Sequence, residues 1–293
     1  MILVTGGSGF IGRRMAARLV DGGHKVRALA RGRRRADLPD GVEVAQGNVV
    51  SGEGLPEAMA GVEKVVHLVA IIRETGDQSF QAVIWRGTER LVEAAKVAAV
   101  KKLVYVSAIG AQDDPTYPYL QAKWQAERAV MRSGLNHTIL RPSIVFGEGD
   151  EFINALAGLI RYNPLVPVAG DGKTKFQPLW VEDLVTCIVA CLDEDAHNGE
   201  VLEVGGPEHL TYDQMLDIVK EALGKSRMKL HVPLAVMRPL AQVMEWVLAK
   251  PPVTREQLKM LALDNVTGTD AVTKSFGIQP RRLADTLDYI RRR

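Results

Sequence analysis

The segment Val4-Thr5-Gly6-Gly7-Ser8-Gly9-Phe10-Ile11-Gly12 constrains the fold of this chain more than any other stretch. It joins a short apolar run, Ile2–Thr5, to an amphipathic one, Phe10–Asp21. Gly6, Gly9 and Gly12 therefore fall at a strand-to-helix turn, the context in which a glycine triplet carries meaning. Gly6 permits the tight turn. Gly9 lets the backbone approach a pyrophosphate, and Gly12 lets the helix pack close to the sheet. Ser8, Phe10 and Ile11 complete the loop and the first helical turn. Free N–H groups and the positive dipole end favour an anion there. The spacing predicts a dinucleotide-binding unit; the alternative is a tight turn without ligand.

The rest of the first half repeats this rhythm. Lys25–Ala30, Val42–Ala45, Lys64–Val69, Leu103–Ser107 and Thr138–Leu140 are rich in Val, Leu and Ile, as strands covered on both faces are. Helices are expected at Ser79–Val100 and Tyr117–Ser133, and Gly22-Gly23 reads as a left-handed cap of the first helix. Strand–helix alternation predicts an α/β fold, a Rossmann-type doubly wound parallel sheet. Residues 1–147 plus about 180–204 would form the dinucleotide-binding domain. Residues 148–179 and 205–293 would form a smaller, mostly helical C-terminal substrate lobe. From Thr211 onward the pattern is helical, with Pro233, Pro239, Pro251 and Pro252 as breaks.

The second strand chooses between dinucleotides. An NAD site places Asp or Glu at its end, to hold the adenosine ribose. Here the strand ends Ala28-Leu29-Ala30-Arg31, with Arg33, Arg34 and Arg35 close behind. A guanidinium attracts a 2′-phosphate that a carboxylate would repel. Arg31 and Arg34 thus predict NADP(H) in preference to NAD(H); a solvated basic loop is the plainer alternative. Asn48 could bond adenine or serve an ordinary turn. Leu68, Val69 and Ala70 would make an apolar bed beside the adenosine.

These motifs resemble the extended and atypical short-chain dehydrogenase/reductases, also described as NAD-dependent epimerase/dehydratase-like. Within them the chain is most similar to the group related to the nucleotide-binding accessory subunit of mitochondrial complex I. The markers are the glycine loop, Gly87-Thr88, Val104–Ala108, Tyr119–Lys123, Leu140–Gly147, Gly170-Asp171-Gly172, Gln177-Pro178, Val181-Glu182-Asp183 and Gly205-Gly206-Pro207. Pro252–Leu258 points to the complex-I-like group.

Tyr119 and Lys123 stand four apart on an expected helix and share a face. A phenol near pKa 10 is a poor acid or base at neutral pH, and a nearby ammonium lowers it. The resemblance implies that Tyr119 exchanges a proton with the substrate oxygen and that Lys123 tunes it and holds the nicotinamide ribose. It also implies Pro142 and Ile144 beside the nicotinamide. Arg141 reads as a structural ion-pair former.

Two positions depart from the family pattern. The expected Ser or Thr at the end of strand five is Ala108 here. Ser107, one residue early, could substitute only if the strand ends or twists there. An Asn common three residues before Gly87-Thr88 is replaced by Ile84. Fewer polar groups would polarise a substrate carbonyl less.

Composition bounds the remainder. Lys and Arg total 37 against 35 Asp and Glu, a net charge of +2, which gives no electrostatic case for nucleic acid. Two cysteines exclude a disulfide scaffold, and six histidines show no metal-ligand spacing, so no metal is expected. Cys187 and Cys191 read as packing thiols, and His67 as a hydrogen-bonded core residue. No run is long enough to cross a bilayer, and a strand beginning at Ile2 leaves no room for a signal peptide. A cytoplasmic location is the default expectation. The apolar stripe 234–248 reads first as lobe core or lid, and second as a helix for a membrane surface or protein partner.

These readings converge on an NADP(H)-dependent oxidoreductase for a small carbonyl or hydroxyl substrate, quinone-like or isoprenoid-like compounds included. One alternative is a non-catalytic NADP(H)-binding structural or redox-sensing protein of a larger assembly. The other is a nucleotide-sugar epimerase or dehydratase.

Overall fold

A computed structural model describes residues 1–31, 38–76, 78–193, 195–247 and 254–291. Arg33, Arg34, Arg35, Lys250, Pro251 and Pro252 lie outside the described residues. The chain divides into two compact units, Met1–Pro142 with Glu182–Glu203, and Ser143–Val181 with Val204–Arg293. Residues 143–147, read from the sequence as the end of the first domain, fall in unit 2. There the Ser143 N–H donates to Val204 O and the Ile144 N–H to Asn265 Oδ1.

In chain order the elements are β1 (Ile2–Thr5), α1 (Phe10–Asp21), β2 (Val26–Ala30), β3 (Glu43–Gln46), α2 (Leu55–Met59), β4 (Lys64–His67), α3 (Gly87–Val97), β5 (Lys102–Val106), α4 (Pro118–Met131) and β6 (His137–Pro142). There follow β7 (Val145–Phe146), α5 (Phe152–Tyr162), β8 (Leu165–Ala169), β9 (Lys175–Phe176), β10 (Leu179–Trp180), α6 (Val181–Ala190) and β11 (Val201–Val204). The remainder is β12 (Leu210–Thr211), α7 (Tyr212–Ala222), β13 (Met228–Val232), α8 (Leu234–Val247), α9 (Arg255–Met260), α10 (Ala271–Phe276) and α11 (Asp288–Arg291).

Unit 1 is a seven-stranded sheet ordered β11-β6-β5-β4-β1-β2-β3. The pairings from β3 to β6 are parallel. This is the doubly wound α/β architecture the alternation predicts. Its strands are buried on both faces: Leu3, Val4, Val65, Val66, Leu103 and Val104 have no exposed surface. The chain runs from β1 outward to β3, then crosses to β4 on the other side of β1. The reversal makes a switch point at the carboxyl ends of β1 and β4, where open α/β sheets bind ligands. Gly23, with φ +77°, closes α1 in the left-handed conformation. Glu182, in the first turn of α6, pairs with Arg14 at 3.2 Å and Arg18 at 3.8 Å, tying α6 to α1.

Several expected boundaries differ. Strand β4 ends at His67, so Leu68 and Val69 belong to the following loop. Strand β5 ends at Val106, so Ser107 lies beyond it. The expected helix Ser79–Val100 is a π-helical turn, Gln81–Arg86, followed by α3.

Unit 2 packs its own core of Phe146, Ile153, Leu156, Ile160, Val166, Val168, Phe176, Met215, Leu216 and Val219, with Leu283, Leu287 and Ile290 from the C-terminal turns. Two of its features overturn expectations. Pro239 lies inside α8 and does not break it. Strand β13 interrupts a stretch read as helical, and it pairs in parallel with β8 from Met228↔Leu165 to Val232↔Ala169. Cys187 and Cys191 are fully buried and free, and burial pushes both thiols up to about 12, as suits packing groups.

Candidate functional site

The glycine loop leaves β1 with Gly6 at φ +72°, a conformation L side chains rarely adopt. A Cβ on Gly6 would sit 3.2 Å from the Leu68 carbonyl carbon and 3.3 Å from the Val69 nitrogen. The loops after β1 and β4 therefore touch at the switch point. Gly12 is packed underneath. A Cβ there would lie 2.1 Å from Gly6 O and 2.7 Å from Gly7 Cα, so α1 could not seat against the loop.

Gly9 differs from both. It caps α1 with φ −78° and ψ 178°, which any residue can adopt. Its backbone N–H donates to Gly6 O at 2.9 Å, and a Cβ would meet only that oxygen, at 3.1 Å. Ser8 and Gly9 are exposed, while Phe10 and Ile11 are half-buried. Helix α1 begins with no side-chain cap and no acidic residue in its first turn. The first intrahelical donor is the Arg13 N–H, to Gly9 O, which leaves the three N–H groups before it for a ligand. An exposed Gly9, where an added Cβ would press on one backbone oxygen, beside an uncapped positive helix end fits a pyrophosphate.

Arg31 is exposed directly after β2, and among the described residues it has no acidic partner. Asn48 forms a turn: its Oδ1 accepts from the Val50 N–H at 2.9 Å. The turn role is thus filled, and among the described residues the Asn48 amide N–H₂ group makes no hydrogen bond. Leu68 and Val69 are half-buried and Ala70 is exposed, all following β4. Pro142 is buried at the end of β6, and its carbonyl accepts from the Ile109 N–H at 3.0 Å. Ile144, half-buried, lies in unit 2 against that unit's core.

Tyr119 and Lys123 share one face of α4, as their spacing dictates. Lys123 is 2% exposed; its Nζ donates to Val106 O at 2.9 Å and lies 5.3 Å from the centre of the Tyr105 ring. Burial pulls this ammonium down to about 8, and the Glu127 carboxylate opposes the shift. Tyr119 stacks edge-on against Phe80, with ring centres 5.6 Å apart. Burial pushes its phenol up to about 12. The expected lowering by Lys123 is therefore not found. Burial is the cause of the rise, and the Lys123 Nζ is committed to Val106 O.

Ser107 is buried, and its Oγ has no hydrogen bond of good geometry. Among the described residues the same holds for Tyr105 Oη, two residues earlier on β5. The Thr88 and Ser107 hydroxyls favour the Tyr105 phenolate, but burial dominates and raises that group well above its usual value. Ile84 is fully buried in the core.

Sequence reasoning placed His67 in the core but missed the network it forms. His67 Nδ1 is 2.6 Å from Thr5 Oγ1, and Nε2 is 3.0 Å from Thr88 Oγ1. The Thr88 hydroxyl donates to Ile84 O at 2.5 Å. Its hydrogen is spent there, so it accepts from His67 Nε2–H, and Nδ1 accepts from Thr5. The imidazole also stacks on Tyr105, with ring centres 5.5 Å apart. Glu127 was missed too. It is 1% exposed and held by Arg141 at 2.8 Å and 2.6 Å. The four-residue step from Lys123 to Glu127 was its only signal.

Residues 6–153 match the family described as NAD(P)H-binding, just over half of the chain. The chain is 27% identical over 274 residues to a mitochondrial NADH dehydrogenase (ubiquinone) 1 alpha subcomplex subunit 9 from Arabidopsis thaliana, covering 90% of this chain and 68% of that one. It is 24% identical to a 3-beta-hydroxysteroid dehydrogenase from Mycolicibacterium neoaurum, covering 98% and 90%. MoeE5, solved with UDP-glucuronic acid and NAD, has the same fold, with a TM-score of 0.77 at 22% identity and 99% of each chain covered. A glycine loop left-handed at Gly6 and closed to a Cβ at Gly12, an uncapped helix N-terminus and a family match over both agree: the chain belongs to the NAD(P)H-binding Rossmann family of extended short-chain dehydrogenase/reductases and epimerases.

Proposed function

We propose that this protein is an NADP(H)-dependent oxidoreductase acting on a small carbonyl or hydroxyl compound, with unit 1 as its dinucleotide domain. The observation that carries the reading is the uncapped α1 N-terminus behind an exposed Gly9, followed at the end of β2 by Arg31 in place of a carboxylate. Gly6, Ser8 and Gly9 with the first turn of α1 hold the pyrophosphate. Arg31 holds the 2′-phosphate, and Asn48 offers its amide to adenine. When bound, the nicotinamide supplies or accepts hydride. Tyr119, whose phenol burial keeps protonated, donates a proton to the substrate oxygen, which favours reduction of a carbonyl. Lys123 as ammonium holds the nicotinamide ribose and stabilises the oxyanion left on Tyr119. Ser107 is the remaining hydroxyl for the substrate oxygen.

Tyr119→Phe is expected to cut NADPH-dependent turnover of a carbonyl panel by about a hundredfold to ten-thousandfold, with cofactor affinity kept. Wild-type turnover is expected to fall above pH about 8, where the Lys123 ammonium is lost. Turnover unchanged in the variant would remove Tyr119 from the mechanism.

Arg31→Glu replaces an attraction for the 2′-phosphate with a repulsion. The ratio of NADPH to NADH affinity, read by calorimetry, is expected to drop about 10- to 100-fold. NADH affinity should change little. Equal loss for both coenzymes would assign Arg31 a merely structural part.

A second reading, a cofactor-holding element without turnover, is favoured by two observations. Ile84 presents no polar group, and Ser107 is almost wholly buried. The similarity to subunits of a respiratory complex supports it as well. Cofactor retained through purification, with no turnover on any carbonyl, would select it.

A further inference from the structure

Thr5, His67 and Tyr105 are neighbours across β1, β4 and β5: His67 is in register with Thr5 on one side and with Tyr105 on the other. Register neighbours point to the same face of a sheet, so the three side chains form one row. All three are fully buried. Neither the imidazole nor the Tyr105 phenol has a part in the proposed proton transfer. The imidazole stacks on the Tyr105 ring, and the Lys123 Nζ, reaching in from α4, lies over that same ring, 5.3 Å from its centre. Tyr105 carries a hydroxyl that this position does not use. Its Oη makes no hydrogen bond of good geometry among the described residues, and burial keeps the phenol protonated. A buried hydroxyl without a partner is a cost, so what the position takes from tyrosine is the ring.

Lys123 has the complementary need. An ammonium has more than one N–H to place, and a single one goes to Val106 O, at 2.9 Å. Burial opposes the charge and pulls the group down to about 8. The charged and titratable groups around it give limited help. Glu127, one turn along α4, favours the ammonium, but its two oxygens are held by Arg141 of β6 at 2.8 Å and 2.6 Å. Tyr119, one turn back, is protonated, since burial pushes its phenol up to about 12. His67 of β4 stays neutral down to about 3. Arg86 and Glu89, where the π-helical turn meets α3, pair with each other at 2.7 Å and reach solvent. An aromatic face within about 6 Å attracts a cation, the more so where water is excluded. We propose that Tyr105 is a positioning residue for Lys123: the face of its ring holds the ammonium beside the end of β5. The consequence for turnover rests on the proposed oxidoreductase reading; the contact itself does not.

The test is a titration of Lys123 in the full chain, read from its Cε carbon resonance after isotopic labelling of lysine and assigned by its loss in Lys123→Arg. It compares wild type with Tyr105→Phe and with the same position carrying mono-, di- and trifluorinated phenylalanine. Fluorine draws electron density from the ring face and hardly alters the ring's shape. Tyr105→Phe should titrate as wild type does, because the ring is kept. Successive fluorination should lower the Lys123 midpoint stepwise, by about half a unit at full substitution. Should phenylalanine not be accepted in the core, monofluorotyrosine at position 105 gives the same comparison, since burial keeps its phenol protonated. A midpoint indifferent to fluorination, or moved as far by Tyr105→Phe as by its trifluorinated form, would overturn the proposal. The alkaline fall in NADPH-dependent turnover should move down together with the midpoint. A midpoint that moves while that fall stays in place would support the ring contact and overturn the catalytic part given to Lys123.

Discussion

Gly12→Ala is expected to abolish measurable cofactor binding and to lower the melting temperature by about 5–10 °C, whereas Gly9→Ala should impair binding alone. The contrast follows from what each Cβ meets. At Gly12 the new carbon would lie 2.1 Å from Gly6 O and 2.7 Å from Gly7 Cα, both backbone atoms that no rotamer change can move. Helix α1 must then shift outward by about 1 Å to restore ordinary contact. Overpacking of this kind costs roughly 1–3 kcal/mol, and each kcal/mol moves the melting point by about 2–4 °C in chains of this size. The shift also drags the helix N–H groups away from the loop they complete. At Gly9 the added carbon meets only Gly6 O, at 3.1 Å, and the backbone is already extended. The protein's own packing constrains this position far less than Gly12, and Gly9 is exposed beside the uncapped end of α1. Gly9→Ala should therefore hold the melting point within about 2 °C while weakening NADPH about tenfold or more, as a single misplaced contact in a tight site does. If Gly9→Ala bound NADPH as wild type does, the loop would not be the pyrophosphate cradle.

What the sequence revealed and what it hid divide along one physical line. The glycine loop, the strand–helix alternation and the four-residue step from Tyr119 to Lys123 are local patterns. Each is set by residues within one or two turns, and each appears in the structure where its spacing put it. The electrostatic state of Tyr119 is not local. Burial raises the phenol, and the ring packed against it is Phe80, 39 positions away, which nothing near Tyr119 in the sequence announces. The Thr5–His67–Thr88 network likewise joins three elements whose polar residues look unremarked in isolation. In unit 2, β13 escaped notice because Met228-Lys229-Leu230-His231 alternates without the β-branched residues that identify a strand, and only its pairing with β8 makes it one. Pro239 misled for a related reason. Proline removes one backbone bond without by itself ending a helix, and α8 continues past it to Val247.

Acid should destabilise this protein through His67 before its carboxylates are titrated. The imidazole is fully buried, and burial, aided by the Lys123 charge, depresses its pKa from 6.5 to about 3. The folded chain thus refuses a proton that the unfolded chain accepts below pH 6.5. Its contribution is complete above pH 6.5 and is lost as the pH falls from there toward 3. Each pH unit in that window costs about 1.4 kcal/mol, so roughly 2 kcal/mol is gone at pH 5. That loss corresponds to a fall of about 4–8 °C in melting temperature. His67→Gln removes the titrating group. It should begin less stable at pH 7.5, because Thr5 and Thr88 lose a well-placed partner, yet fall less steeply between pH 6.5 and 5. The difference between the two melting curves isolates His67, since other acidic groups contribute to both. Should the variant fail to fold, the wild-type imidazole resonance serves instead, remaining neutral down to about pH 4. A wild-type ring that titrates near 6.5 would refute the argument. The consequence reaches the cofactor loop directly. Thr5, which the imidazole holds, is the last residue of β1, and Gly6 follows it. Protonating His67 turns Nδ1 from acceptor to donor, so the Thr5 hydroxyl must break or reverse its bond; because the folded ring stays neutral until about pH 3, cofactor affinity should hold through the window in which stability falls and decline only toward that pH.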